Sequence, residues 1–301
     1  EPVEGLVSIA MPFLAARPYI AEAIESVRGQ TYPRWELWLV DDGSSDGTRE
    51  VARAYAARDP GRIRLLSHRD GGSHGASAAR NLALAQARGE FVAFLDADDV
   101  WLPQNLAEQV ARLRAVPEAG VLYSRTLYWH SWVPNGAPSS DHVPRLRVVP
   151  GRPIPPPELL ARCIQGKAAV PCTCSILIRR KLIDRTGGFE EQFPLLYDDQ
   201  AFYAKLFAAT AVLPVDGCWA KYRQHHSSMT AAARRALTTR GSRQAYLTWL
   251  EAYVRRDPAV AAALAPALRR ELWRCRHPLA DDLLDRLDFA IRRVERILRI
   301  P

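Results

Sequence analysis

The sequence predicts an α/β fold: a mainly parallel sheet flanked by helices, followed by a helical tail. Two observations predict it. Short apolar runs alternate with amphipathic stretches of about 10 to 15 residues, the pattern of successive βαβ units. Two of those runs also end in acidic clusters, as strands do when their carboxyl ends border a ligand crevice.

Taken in order, residues 6–11 read as a first strand stopped by Pro12, and residues 18–27 as a helix with proline near its first turn. Residues 35–40 form a second strand. It ends in Asp41-Asp42-Gly43-Ser44-Ser45-Asp46-Gly47-Thr48, a turn that leads into a helix over 49–58. A third short strand over 63–67 precedes the loop Asp70-Gly71-Gly72-Ser73-His74-Gly75 and a helix over 76–87. The central strand is Phe91-Val92-Ala93-Phe94-Leu95. None of its positions alternates to polar, so it is expected to be buried on both faces. It ends in Asp96-Ala97-Asp98-Asp99, and another helix opens at Pro103 and runs to about Ala115.

Residues 121–129 read as a strand and 133–157 as a long proline-rich surface excursion. A short helix over 156–165, a strand over 172–178 and a sharp turn at Gly187-Gly188 follow. The helix over 197–209 starts on two acids, which suits the positive end of its dipole. Residues 212–222 read as a strand pair around Asp216-Gly217. From Arg234 onward the pattern is helical. Leu247, Leu250 and Val254, then Leu283, Leu284, Leu287, Ile291, Val294, Ile297 and Leu298, fall at helical spacing. The division expected is an α/β domain over 1–230 and a basic helical extension over 231–301.

The 301 residues, 48% of them hydrophobic, are enough to bury a large core. No apolar stretch reaches the roughly 20 residues that a membrane span needs. The chain opens on Glu1 rather than Met, so residue 1 need not be a native start, and Glu1-Pro2-Val3-Glu4-Gly5 lacks a secretory pattern. Five cysteines, an odd number with no zinc-like spacing, fit a reduced cytoplasmic setting. The net charge of +8 is uneven: residues 231–301 hold 15 Arg, no Lys and 8 acids, which leaves about +1 for the rest. Basic residues in the front part are not interleaved with aromatics, so no nucleic-acid partner is expected.

Carboxylates at the mouth of a parallel sheet are placed to hold a hard cation or a polyol, and Mg²⁺ or Mn²⁺ suits such oxygens. Arg80, near the start of a helix, offers a rigid fork of donors to a phosphate or a base edge.

Together these segments resemble the inverting nucleotide-sugar glycosyltransferases of family 2, with their Rossmann-like A-type (GT-A) fold. The resemblance rests on Val40-Asp41-Asp42-Gly43-Ser44-Ser45-Asp46-Gly47-Thr48, Ala79-Arg80-Asn81 and Phe94-Leu95-Asp96-Ala97-Asp98-Asp99-Val100-Trp101-Leu102-Pro103. It continues through Gly187-Gly188-Phe189 and Tyr197-Asp198-Asp199 to Tyr222-Arg223-Gln224-His225. It implies a nucleoside-diphosphate sugar as donor, UDP by default, and a hydroxyl of a glycan or lipid-linked acceptor.

The roles implied are these. Asp41 would accept a hydrogen bond from the nucleobase, with Arg80 against the base or phosphates. In the Asp96-Ala97-Asp98 motif, Asp96 would meet the ribose or a metal-bound water, and Asp98 would ligate the Mn²⁺ or Mg²⁺. His225 would touch that metal or the diphosphate, and Asp199 would be the general base. Where the family commonly has Tyr-Asn shortly after the first-strand proline, this chain reads Pro12-Phe13-Leu14-Ala15. Base contact would then fall to Phe13 or Leu14 beside Pro12. Two alternatives are a nucleotidyltransferase, set against by the lack of glycine between Met11 and Pro18, and a non-enzymatic glycan- or nucleic-acid-binding protein. The arginine-rich tail is expected to pack on the α/β domain or on a second copy in a homodimer. The alternative is attachment to the inner face of a membrane.

Overall fold

The computed structural model describes residues 1–133, 140–193, 196–226, 228 and 239–280. In its first part, strands β1 (Val3–Phe13), β2 (Trp35–Asp41), β3 (Ile63–Ser67) and β4 (Gly89–Phe94) are linked by helices α1 (Ile20–Arg28), α2 (Thr48–Arg58) and α3 (Ala76–Gln86). These strands pair in parallel in the order β3-β2-β1-β4. They are the apolar runs, and all seven residues of β2 are buried. The chain builds outward from β1 to β3 and then crosses to the other side of β1. That reversal sets the crevice beyond the carboxyl ends of β1 and β4.

The second part is mixed. It comprises β5 (Val100–Trp101), α4 (Asn105–Arg114), β6 (Ala119–Trp129), α5 (Glu158–Ile164), β7 (Ile176–Arg179), α6 (Arg180–Thr186), α7 (Asp198–Ala209) and β8 (Ala211–Arg223). β7 runs antiparallel between β4 and β6, β8 lies parallel to β6, and β5 closes the edge antiparallel to β8. One core joins Val7, Ile9, Leu37 and Phe91 to Ile20 and Ile24 of α1 and Leu106 and Val110 of α4. The other joins Trp38, Val92 and Phe94 to Phe202 and Leu206 of α7.

Helices α8 (Thr239–Val254) and α9 (Pro258–Arg276) belong to this second core through Leu247, Leu250, Leu264 and Leu268. Asp257 starts α9 by accepting the N–H groups of Ala259 and Val260 ahead of Pro258. The described part of the basic extension is therefore packed on the α/β domain. The apolar stripe from Leu283 to Leu298 lies outside the described residues.

Four sequence expectations are corrected. Pro12 does not stop the first strand: β1 continues to Phe13, and Pro12 pairs with Val40. The ladder to β4 ends at Ala10 and Phe94, so the missing N–H of Pro12 faces a side that no longer has a paired strand. The strand over 172–178 is shorter, because Ser175 bonds back to the carbonyl of Cys172 and closes a 3₁₀ turn, Thr173–Ser175, ahead of β7. The expected strand pair over 212–222 is the single strand β8. Register shifts against β6 around Arg125 absorb the Asp216-Gly217 step, as β-bulges do. Of the proline-rich excursion, the described residues are not mere surface: Leu146 and Ile154 are buried, and Ile154 bridges to Val212.

Candidate active site

Each carboxylate at the crevice is fixed by a different element. Asp41, at the end of β2, accepts the N–H of Ser44 at 2.9 Å through Oδ1. Its buried Oδ2 has no hydrogen-bond partner, and the nearest cation, Arg49, stands 3.6 Å away. Asp42 is structural. It accepts the N–H of His74 at 2.8 Å, the hydroxyl of Ser73 at 2.7 Å and the N–H of Gly75 at 3.0 Å, and so ties β2 to the entry of α3. Gly43 makes this fit possible: its φ is +92°, and a Cβ there would meet the backbone of Gly72 and Ser73.

The entry so fixed carries Arg80 into the crevice. Only 3% exposed, Arg80 donates to Asp96 Oδ1 at 2.7 Å and to Asp198 Oδ2 at 2.8 Å, and lies 5.2 Å over the Phe189 ring. A buried guanidinium between two carboxylates stays charged and holds both acids in place. The acids after β4 and those that open α7 thus share one cation, although 118 positions separate Arg80 from Asp198.

The loop after β4 is clamped from β8. Arg223 gives its N–H to Asp99 at 3.0 Å, its Nε to the carbonyl of Asp98 at 2.7 Å, and its Nη2 to Glu22 of α1 at 2.6 Å. Two residues on, His225 Nε2 lies 2.9 Å from Asp98 Oδ2. Asp99 is almost wholly buried. Desolvation and the nearby Asp98 and Asp96 hold its carboxyl well above the usual range.

α7 begins at Asp198, preceded by Tyr197 in the left-handed region at φ +68°. A tyrosine is held there by its surroundings, since such backbone is costly away from glycine. Tyr197 stacks on Tyr246 of α8 at 5.0 Å. The turn delivers Asp199, whose Oδ1 accepts the N–H of Gln200 at 2.7 Å. Desolvation and then the adjacent Asp198 push the Asp199 carboxyl up to about 7.

The expected residues therefore fall at one rim: Asp41 after β2, Asp96, Ala97 and Asp98 after β4, Arg80 from α3, His225 after β8 and Asp199 from α7. Pro12 and Phe13 end β1, but Phe13 is 3% exposed and packed in the core, whereas Leu14 is 52% exposed. Leu14 is thus the apolar side chain offered at that end. Sequence reasoning missed the Asp198 bond to Arg80 and the Arg223 clamp. The signal for the clamp was an arginine two positions before His225. Among the described residues, no group of three or more His, Cys, Asp or Glu gathers around a metal-sized space. No described helix is long and apolar enough to cross a membrane.

Over 108 residues, 36% of this chain and 41% of the relative, the sequence is 44% identical to the UDP-Glc:alpha-D-GlcNAc-diphosphoundecaprenol beta-1,3-glucosyltransferase WfgD of Escherichia coli. The chain spans about two fifths to a half of the length of such curated relatives. Among solved structures, S. aureus TarS 1–349 in complex with UDP-GlcNAc superposes with a TM-score of 0.69 at 20% identity, covering 91% of this chain and 73% of that one. The mannosyltransferase PcManGT of Pyrobaculum calidifontis, in complex with GDP-Man and Mn²⁺, gives 0.60 at 21% identity over 98% of this chain and 81% of that one. At such identities the likeness shows the fold, a GT-A type α/β sheet flanked by helices. The profile described as Glycosyl transferase family 2 matches residues 8–187, more than half of the chain, and the chain belongs to that family.

Proposed function

We propose that the protein is a metal-dependent, inverting glycosyltransferase that moves a sugar from a nucleoside-diphosphate sugar, UDP-linked by default, to an acceptor hydroxyl in glycan or glycolipid synthesis. The observation that carries the reading is Arg80 bridging Asp96 and Asp198, which joins the acids after β4 to the acids that open α7 in one crevice. The donors seen with TarS and PcManGT, and the donor in WfgD's name, support a nucleotide sugar.

Asp199 takes the proton of the acceptor hydroxyl. As that oxygen bonds to the anomeric carbon, the bond from the anomeric carbon to the diphosphate oxygen breaks on the opposite face, and inversion follows in one displacement. A carboxyl lifted to about 7 is matched to this task, since a base works best with a pKa near the working pH. The unpartnered Oδ2 of Asp41 is an acceptor for a nucleobase N–H.

The donor set at the crevice fits a divalent cation. Asp98 and His225 present an oxygen and a nitrogen side by side, and Mg²⁺ or Mn²⁺ is usually held by one or two protein groups plus substrate phosphates. Asp98 and His225 would hold it, with Asp96 beside them. Such a cation would supply neutralisation of charge on the departing diphosphate.

A thermal-shift panel of UDP, GDP, dTDP and CDP sugars with and without Mn²⁺ tests the reading. One nucleotide series is expected to raise the Tm only with Mn²⁺, and Asp98→Ala to abolish that rise. No shift with any of them would refute it.

A further inference from the structure

Two contiguous hollows of about 580 and 510 Å³ run along β6 and share Arg125, Arg145, Leu146 and Arg147. Arg162 joins the outer one, where Asp216 is the sole acid among the described lining residues. The four guanidiniums are only partly neutralised. Arg125 pairs with Asp216 at 3.0 Å, Arg162 pairs with Glu158, and Arg147 reaches the Gly166 carbonyl at 3.1 Å. Arg145 meets no partner among the described residues. On an open surface such charges are simply hydrated. Here they line a concavity whose inner wall includes Tyr123, 1% exposed, with a hydroxyl that has no hydrogen-bond partner. A buried orphan hydroxyl is destabilising until a ligand meets it.

The inner hollow ends at Cys172. The Cys172 thiol lies 3.7 Å from the Tyr128 hydroxyl, and burial, with smaller contributions from the charges of Asp99 and Asp199, pushes that thiol up. The inner hollow therefore runs from the arginines to Cys172. The diphosphate of the donor has its own place, beside Asp98 and His225, so the arginines answer to a second anion.

We infer that this groove takes the acceptor and that the acceptor carries phosphate, seated on Arg125, Arg145, Arg147 and Arg162, while its hydroxyl lies toward Asp199. The inference rests on the assignment of Asp199 as base. Guanidinium forks pair bidentately with phosphate oxygens, and several around one concavity select a phosphate over a neutral saccharide.

The test is calorimetric titration of the full chain with inorganic pyrophosphate and with farnesyl diphosphate, in EDTA so that metal-dependent donor binding is silent. Both Arg145 and Arg147 are exposed, so the double variant Arg145→Gln/Arg147→Gln is expected to fold. It should bind either probe about tenfold more weakly, the scale of losing charge-assisted hydrogen bonds. Asp98→Ala should leave both affinities within about twofold, as for independent sites. Tighter binding of farnesyl diphosphate identifies a lipid-linked source of the phosphate, and equal binding a soluble one. Absence of binding, an unchanged affinity in the double variant, or a loss in Asp98→Ala would each overturn the inference. If UDP with Mn²⁺ failed to bind the unaltered protein, the glycosyl-transfer reading would fall and the groove result would stand.

Discussion

The two halves of the sheet treat charge in opposite ways. At the ends of β2 and β4 most of the acids are committed, Asp41 Oδ2 excepted: Asp42 satisfies the entry of α3, Asp96 shares Arg80 with Asp198, and Asp99 receives the N–H of Arg223. Along β6 the charges are cationic, half-exposed and only loosely paired. A paired, buried set is preorganised and loses little on meeting a ligand, while an open set adapts to whatever arrives. On the proposed function this contrast is a division of labour, with a rigid wall for the activated sugar and an adaptable wall for the molecule that receives it.

The largest effect is expected at Asp199, the proposed base. Asp199→Asn is expected to lower transfer by roughly 10²- to 10⁴-fold, as for loss of a general base, with nucleotide affinity changed by about twofold or less. Kinetics and calorimetry on the same preparation check both halves of that statement. A variant with full transfer activity would remove Asp199 from the mechanism.

Arg80→Met tests the rigid wall itself. It strands two carboxylates beside an apolar side chain, and urea unfolding should register a loss of about 3 kcal/mol. A loss under about 1 kcal/mol would mean that the bridge is a surface pair rather than a strut.

In the proposed role the active form of Asp199 is the carboxylate, and burial favours the neutral acid, so activity is expected to rise with pH. Because the carboxyl is pushed up to about 7, kcat/KM should climb about tenfold per unit below that pH and level off above it. For stability the sign is reversed. The folded chain holds a proton that the unfolded chain releases, so this group favours folding at low pH and loses that contribution as pH climbs from about 4 to 7. Asp199→Asn should flatten that part of the stability profile.

The smallest effect concerns the link between the domain and its C-terminal helices. Tyr246→Leu removes the ring stacked on Tyr197, an interaction worth about 1 kcal/mol. If α8 braces the base, kcat should fall severalfold while the Tm moves only a few degrees. A drop in Tm with unchanged kcat would make the contact purely structural.

The legibility of the chain follows the same divide. β4 is legible because a strand buried on both faces leaves an unbroken apolar run, whereas β3 matches its expected bounds although it is only partly buried. The acids at the ends of β2 and β4 stand out because each cluster directly terminates a largely apolar run. Pro12 misleads because proline forbids a ladder bond only where a partner strand exists, and sequence does not tell where β4 ends. β8 reads as two strands because Asp216-Gly217 imitates a turn, whereas pairing with β6 overrides it. The roles of Arg223 and Asp198 are hard to read from the sequence, since each depends on a partner over a hundred positions away. The arginines of the groove escape for a similar cause: they come from β6, α5 and the segment before it, and no local period unites them.

Arg223 also says something about when this protein becomes itself. Its partners on α1 and in the loop after β4 precede it by 201 and 124 positions, so they leave the ribosome long before the latch that fastens them. The family-matched segment, which stops at residue 187, is born with Asp99 still wanting its donor. A fragment ending at residue 210 should therefore show no nucleotide binding by titration, however well its parallel strands pair.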